Sequence, residues 1–211
     1  EAEAAAGAVA AIERELRELT LLAKALSEAE AALDEVVPRI EALLGDRIYS
    51  RDGAPLEASV GHLLKQRGET VSVAESCTGG LIGSRITEVS GSSEYFIEGA
   101  VTYANDAKIR SLSVPIELIE NFGAVSAEVA EAMARGMREK AGTDYSISVT
   151  GIAGPTGGTE EKPVGTIFIG FADETQVKSF KILLPGDRYL IRWRASQAAL
   201  DYLRRQILKK L

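Results

Sequence analysis

Cysteine and histidine occur once each in the 211 residues, as Cys77 and His62. One cysteine can close no internal disulfide, and with a single histidine it supplies neither a zinc-finger ligand set nor a His-rich metal centre. A Ser/His/Asp triad would need His62 as its base. That residue stands beside Leu63 and Leu64 with no acid close by in sequence, which reads as a boundary position. Positive charge is also short. Lys plus Arg number 24 against 31 Asp plus Glu, a net charge of -7, and surfaces that wrap nucleic acid or anionic lipid need concentrated basic residues. Long apolar runs are missing too, and the Ala-rich start is broken by Glu1, Glu3, Glu13, Arg14 and Glu15. Neither a membrane span nor a signal peptide is predicted, so the expected location is cytoplasmic.

Two regions differ in pattern. Residues 1–44 are dominated by Ala, Glu, Leu and Arg, with Val9, Ile12, Leu16, Leu19, Leu22, Leu26, Leu33, Val36 and Leu43 recurring at spacings near three and four, the mark of an amphipathic helix. Ser27 and Glu30 have the capping-box form, so the stretch is either a helical hairpin broken near Leu26 or one long helix. Pro38 would bend such a helix unless a new one starts there, and Gly45 ends the region. With no cysteine, histidine or Gly-rich element, this stretch carries packing rather than chemistry. Its near-idealised helix composition reads as an engineered or truncated extension.

From Ala54 onward helices alternate with short β-branched runs, which predicts an α/β layered domain over residues 45–211. Helices are expected at Leu56 to Gln66, from Cys77 to about Val89, Ile116 to Asn121, Ala127 to Lys140 and Arg188 to Lys210. The last ends on the basic residues Arg204, Arg205, Lys209 and Lys210. Strands are expected at Val71 to Ala74, Ala100 to Tyr103, Tyr145 to Val149, Thr166 to Phe171 and Gln176 to Leu184.

Four stretches are candidates for chemistry. In Glu75-Ser76-Cys77-Thr78-Gly79-Gly80 a strand end passes into a helix through a small turn, whose backbone N–H groups suit a phosphate, a carboxylate or a developing oxyanion. Ser76 and Cys77 are its nucleophilic side chains. Tyr103, Asn105 and Lys108 follow a strand end, where open α/β sheets place ligands. A desolvated lysine there is able to act as base towards a serine without any histidine. Thr150-Gly151-Ile152-Ala153-Gly154-Pro155 opens a loop rich in Gly and Pro that comes close to a ligand or makes an elaborate turn. It lacks the P-loop and dinucleotide patterns. The loop continues into Glu160-Glu161-Lys162-Pro163-Val164-Gly165, which reads as a mobile rim. Arg188 and Arg192, one helical turn apart, present forked donors for a phosphate or carboxylate.

Taken in this order, these stretches resemble the C-terminal domain of the competence/damage-inducible CinA family, the nicotinamide mononucleotide deamidase domain. Gly91-Ser92-Ser93, Gly99-Ala100-Val101-Thr102-Tyr103, Gly123-Ala124-Val125-Ser126 and Gly186-Asp187-Arg188 add to the match. The resemblance implies a three-layer α/β/α sandwich with a mixed sheet. It also implies hydrolysis of the nicotinamide mononucleotide carboxamide to nicotinate mononucleotide and ammonia, with no metal or organic cofactor.

Carried over by resemblance, Ser76 is the nucleophile, Lys108 its base, Tyr103 a pocket residue and Arg192 the functional arginine of the closing helix. Glu75, Cys77, Thr78, Gly79, Gly80, Asn105, Thr150, Gly151, Ala153, Gly154 and Arg188 are expected to line the substrate. The Thr78 to Gly80 amides and the Gly151 to Pro155 loop would divide the oxyanion and the phosphate between them. Expected partners are the small nucleotide substrate and further copies of the chain, as a dimer or trimer, with the N-terminal helices adding an interface. The alternative is an assembly scaffold in which catalysis is incidental. Many family members carry a larger molybdopterin-binding-like domain ahead of this one. Residues 1–44 do not resemble it, although residues 29–49 fit the family's linker.

Overall fold

Val71 to Glu75 is β-branched or small up to its last residue, a composition suited to a strand covered on both faces. In the computed structural model of the chain it forms β1 (Val71–Glu75), buried throughout. The structure describes residues 2–209, with side chains from residue 14 onward. Beside β1 stand β2 (Phe96–Val101) and β3 (Tyr145–Gly151), both parallel to it, and β4 (Thr166–Ala172) and β5 (Val177–Leu183) continue the sheet antiparallel in the order β2-β1-β3-β4-β5. The carboxyl ends of three parallel strands therefore meet at one edge, with β1 in the middle.

One face of the sheet is covered by α2 (Leu56–Arg67), α3 (Leu81–Thr87) and α7 (Arg188–Leu208). Leu56, Val60, Ile82, Ile86, Ile191 and Leu203 pack there with Val73, Ile147 and Ile169. These helices are also joined by a buried ion pair, in which Arg85 donates to Glu57 at 2.7 Å and to Ser196 and Gln197 of α7. The other face carries α4 (Asn105–Leu112), α5 (Ile116–Phe122) and α6 (Ala127–Ala141), where Leu112, Val129, Met133 and Met137 close over Ala74. A side chain at Gly136 would land on the Leu112 carbonyl, so a glycine lets α6 pass the end of α4. The result is the three-layer sandwich with a mixed sheet.

Helix α4 is an addition to the expected elements, and α3 starts four residues later than expected, because Cys77 to Gly80 form a turn ahead of it. Ser126 and Asp187 cap α6 and α7, accepting the Val129 and Leu190 amides. At the far end of α7, Arg204 and Arg205 pair with Asp201 rather than only facing the helix terminus; Lys210 lies outside the described residues.

The chain falls into two compact units, Glu1–Tyr49 and Ser50–Leu211. The first is a single helix, α1 (Ala2–Leu44), followed by a short 3-10 turn at Gly45–Arg47. This settles the hairpin alternative: the helix runs unbroken through Ser27 and contains Pro38. A capping box is a local preference, and the flanking Ala, Glu and Leu residues all favour continuation. The side chains of Val9 and Ile12 lie outside the described residues.

Candidate active site

Ser76 follows β1 directly, in the middle of the three converging strand ends. Its amide donates to the Val149 carbonyl of β3 at 2.9 Å, so the neighbouring strand fixes it. Lys108 reaches the same point from α4. Its Nζ lies 3.1 Å from Ser76 Oγ, 2.8 Å from the Thr102 carbonyl oxygen and 3.3 Å from that of Tyr103. The lysine is 1% exposed and Ser76 8%. Burial pushes the Lys108 ammonium below its ordinary pKa, because charge is disfavoured away from water. The geometry suits a base. Were the amine neutral, the two backbone carbonyls would take its two hydrogens and the lone pair would face the serine hydroxyl.

Cys77 is a poor rival. It is 5% exposed, and burial pushes its thiol up to about 12, which leaves it a thiol rather than a nucleophilic thiolate near neutrality.

The turn bearing Ser76 is held from two sides. Glu75 is buried, and its carboxylate accepts the amides of Gly80 at 3.0 Å, Ile82 at 3.1 Å and Gly83 at 2.9 Å. It thus caps the entry to α3 with a full negative charge. From α7, Arg192 donates through Nε and Nη2 to the Thr78 carbonyl, at 3.2 and 2.6 Å. Gly79 and Gly80 have φ of +64° and +93°, a backbone region that glycine enters without steric cost.

This wiring commits part of the expected ligand cradle to the protein itself. Glu75 is turned into the protein rather than towards a substrate. The Gly80 amide is taken by Glu75, and that of Gly79 by the Ser76 carbonyl at 3.1 Å. The Thr78 amide has no protein acceptor among the described residues, and Thr78 is buried. Thr150 is likewise committed, its hydroxyl donating to the Ala124 carbonyl at 2.8 Å. Ala153 is buried in the core. A side chain at Gly151 would strike Ile167 of β4, so that glycine serves strand packing.

The rim is built differently. Tyr103 is 58% exposed, and Asn105 and Arg188 are exposed as well. Arg188 donates to the Tyr103 hydroxyl at 2.8 Å and to the Gly154 carbonyl at 2.9 Å, joining α7 to the two loops that flank Ser76. The loop from Glu160 to Gly165, expected to be a mobile rim, is tied to the protein through Lys162. Lys162 Nζ donates to the carbonyls of Phe122 at 2.7 Å and Val125 at 2.8 Å. Sequence reasoning missed this role and that of Thr102, whose carbonyl holds Lys108. Both act through contacts across the fold that no local pattern announces. His62 is exposed.

The fold is a three-layer α/β sandwich with a buried Ser–Lys pair at the carboxyl edge of its parallel strands. The CinA C-terminal domain model matches residues 53–207, and the chain belongs to that family. It is 54% identical over 168 residues to a CinA-like protein of Geotalea daltonii, covering 80% of this chain and 41% of that one. A CinA-like protein of Citrifermentans bemidjiense is 45% identical over 193 residues, 92% of this chain and 47% of its own. A match of that extent reaches well into α1, so part of the helix is shared with relatives. The chain spans less than half the length of these curated relatives. Among solved structures it resembles the competence/damage inducible protein CihA from Agrobacterium tumefaciens, with a TM-score of 0.69 and 39% identity over 70% of this chain and 91% of that one. A CinA superfamily protein from Klebsiella pneumoniae gives a TM-score of 0.71 at 28% identity, over 73% and 96% of the two chains. Among the described residues no helix is long and apolar enough to cross a membrane.

Proposed function

We propose that the chain is a serine amidohydrolase that converts the carboxamide of nicotinamide mononucleotide to the carboxylate, releasing ammonia. The observation that carries this reading is the Lys108 Nζ to Ser76 Oγ distance of 3.1 Å inside a buried site. Neutral Lys108 takes the serine proton as Oγ attacks the amide carbon. The charge that develops on the carbonyl oxygen is met by a backbone amide of the turn that follows Ser76. As the C–N bond breaks, Lys108 returns the proton to the leaving nitrogen, which departs as ammonia. Water then attacks the acyl ester as Lys108 accepts its proton, Lys108 passes that proton to Ser76 Oγ as the C–Oγ bond breaks, and the acid released ionises to the carboxylate. The family resemblance supplies the identity of the amide, and Arg188 supports a phosphorylated substrate. Its two acceptors here are a phenol and a carbonyl, both of which a phosphate displaces with gain of charge pairing.

The test is ammonia release from nicotinamide mononucleotide by the purified protein, alongside Ser76→Ala and Lys108→Ala. Turnover in the parent and its loss in both variants is the expected result. A folded parent without turnover overturns the reading, as does a Ser76→Ala protein that keeps its rate.

A further inference from the structure

Ser76 stands between two threonines. Glu75 pairs with Val101 of β2 and with Val149 of β3. The Thr102 amide donates to the Glu75 carbonyl at 2.8 Å, which carries the parallel register one residue past the end of β2. Thr102 and Thr150 therefore flank Ser76, one strand spacing of about 4.8 Å away on either side. Side chains at matched positions of adjacent strands share a face of the sheet, and here that face lies under α4 and α6. Ala100, two residues before Thr102, packs with Leu112 of α4, and Lys108 comes down from α4 to Ser76.

The two threonines differ in one respect. The Thr150 hydroxyl donates to the Ala124 carbonyl. Thr102 is equally buried, at 2% exposed, yet its Oγ1 has no hydrogen-bond partner among the described residues. Its backbone is engaged on both sides, the amide on Glu75 and the carbonyl on Lys108 Nζ at 2.8 Å. A buried hydroxyl without a partner costs stability, and valine would fill the same shape without that cost. Thr78 Oγ1 is also buried without a partner, but that residue turns its carbonyl to Arg192 of α7 rather than towards α4. Thr102 thus brings an uncommitted hydroxyl to the base and the nucleophile together.

We propose that Thr102 Oγ1 positions the water that hydrolyses the acyl ester on Ser76, a role that rests on the amidohydrolase reading above. Water between Thr102 and Lys108 directs one O–H at the lysine amine and the other at Thr102 Oγ1, which leaves an oxygen lone pair for the acyl carbon. The new O–C bond forms as the first proton passes to Lys108, and Lys108 gives it to Ser76 Oγ as the C–Oγ bond breaks. Thr102 neither gains nor loses a proton over the cycle. The earlier attack of Ser76 on the amide does not need its hydroxyl, because Lys108 alone moves the proton in that step.

The experiment is rapid-quench measurement of ammonia release from nicotinamide mononucleotide, with intact-mass detection of the acyl adduct, for the parent, Thr102→Val, Thr102→Ser and Ser146→Ala. Ser146 Oγ is likewise buried without a partner, but it pairs with Ser72, on the order of 13 Å along the sheet from Ser76, and so serves as the control. Thr102→Val should release about one equivalent of ammonia per chain at the parent's rate and then turn over roughly tenfold or more slowly, with the adduct accumulated. Thr102→Ser should restore the steady rate, and Ser146→Ala should match the parent. The thermal midpoint of Thr102→Val should be no lower than the parent's, since the hydroxyl it loses bonds to nothing in the protein. A lowered midpoint overturns the proposal by making the residue structural. Parent-like steady turnover in Thr102→Val also overturns it, as does a slowed first turnover, which would put the hydroxyl to work before any ester exists. A parent that releases no ammonia overturns the amidohydrolase reading and this proposal with it.

Discussion

The inner and outer halves of the site are built on opposite terms. Ser76, Lys108, Glu75 and Thr78 are all buried; the first three are fixed by hydrogen bonds to backbone of another strand, helix or turn, and Thr78 by the Arg192 side chain donating to its carbonyl. Tyr103, Asn105 and Arg188 stand exposed, and the arginine is held by acceptors that carry no charge. Burial suits the proposed chemistry, since removing Lys108 from water lowers its proton affinity. Exposure suits the proposed recognition, since an arginine on neutral partners can exchange them for an anion. Substitutions in the inner half should therefore reduce kcat, and those at the rim should change KM.

Ser76→Ala breaks the inner half most completely, with an expected loss of about 10³-fold or more in kcat, measured as ammonia release. Next is the base. Lys108→Ala should cost about 10²- to 10⁴-fold, and Lys108→Arg, which stays protonated, should fail to restore the rate. Because the proposed mechanism uses the neutral amine, whose pKa is lowered, kcat/KM of the parent should rise with pH. The midpoint should lie below the ordinary lysine value of about 10.4. Arg192→Ala releases the Thr78 carbonyl and with it the set of the nucleophile turn. A kcat loss of about tenfold to 10²-fold is expected with KM nearly unchanged, since small displacements of a reacting group are costly. Arg188→Ala sharpens the contrast. KM for the nucleotide should rise about tenfold, while the corresponding nucleoside, lacking the phosphate, is unaffected. Cys77→Ala should have the smallest effect, within about threefold in kcat, because its thiol is held in the protonated state.

The layers and strands of the domain were legible because β-branched runs and amphipathic helices alternate along the chain, and Gly and Pro mark the turns. Helix α4 escaped notice because Ala104, at its N-cap, offers no side-chain cap, and its eight residues are too few for a clear periodicity. Ser27 misled in the other direction, being a locally good start signal within a helix that does not stop. In the site, Ser76 and Lys108 were visible as residue types at strand ends. The role of Glu75 was not, because its partners are backbone amides of the following turn and helix. The same holds for Arg192, whose acceptor at Thr78 lies across the fold in a distant part of the sequence. Local pattern shows which groups reach the sheet edge, while three-dimensional wiring decides which of them remain free for a ligand.

The most direct test of the Ser–Lys account is rapid quenching of the parent during turnover of nicotinamide mononucleotide, with mass mapping of the peptide that contains both Ser76 and Cys77. The account predicts an acyl adduct on Ser76 that is absent in Ser76→Ala. An adduct on Cys77, or steady turnover by Ser76→Ala, would contradict it.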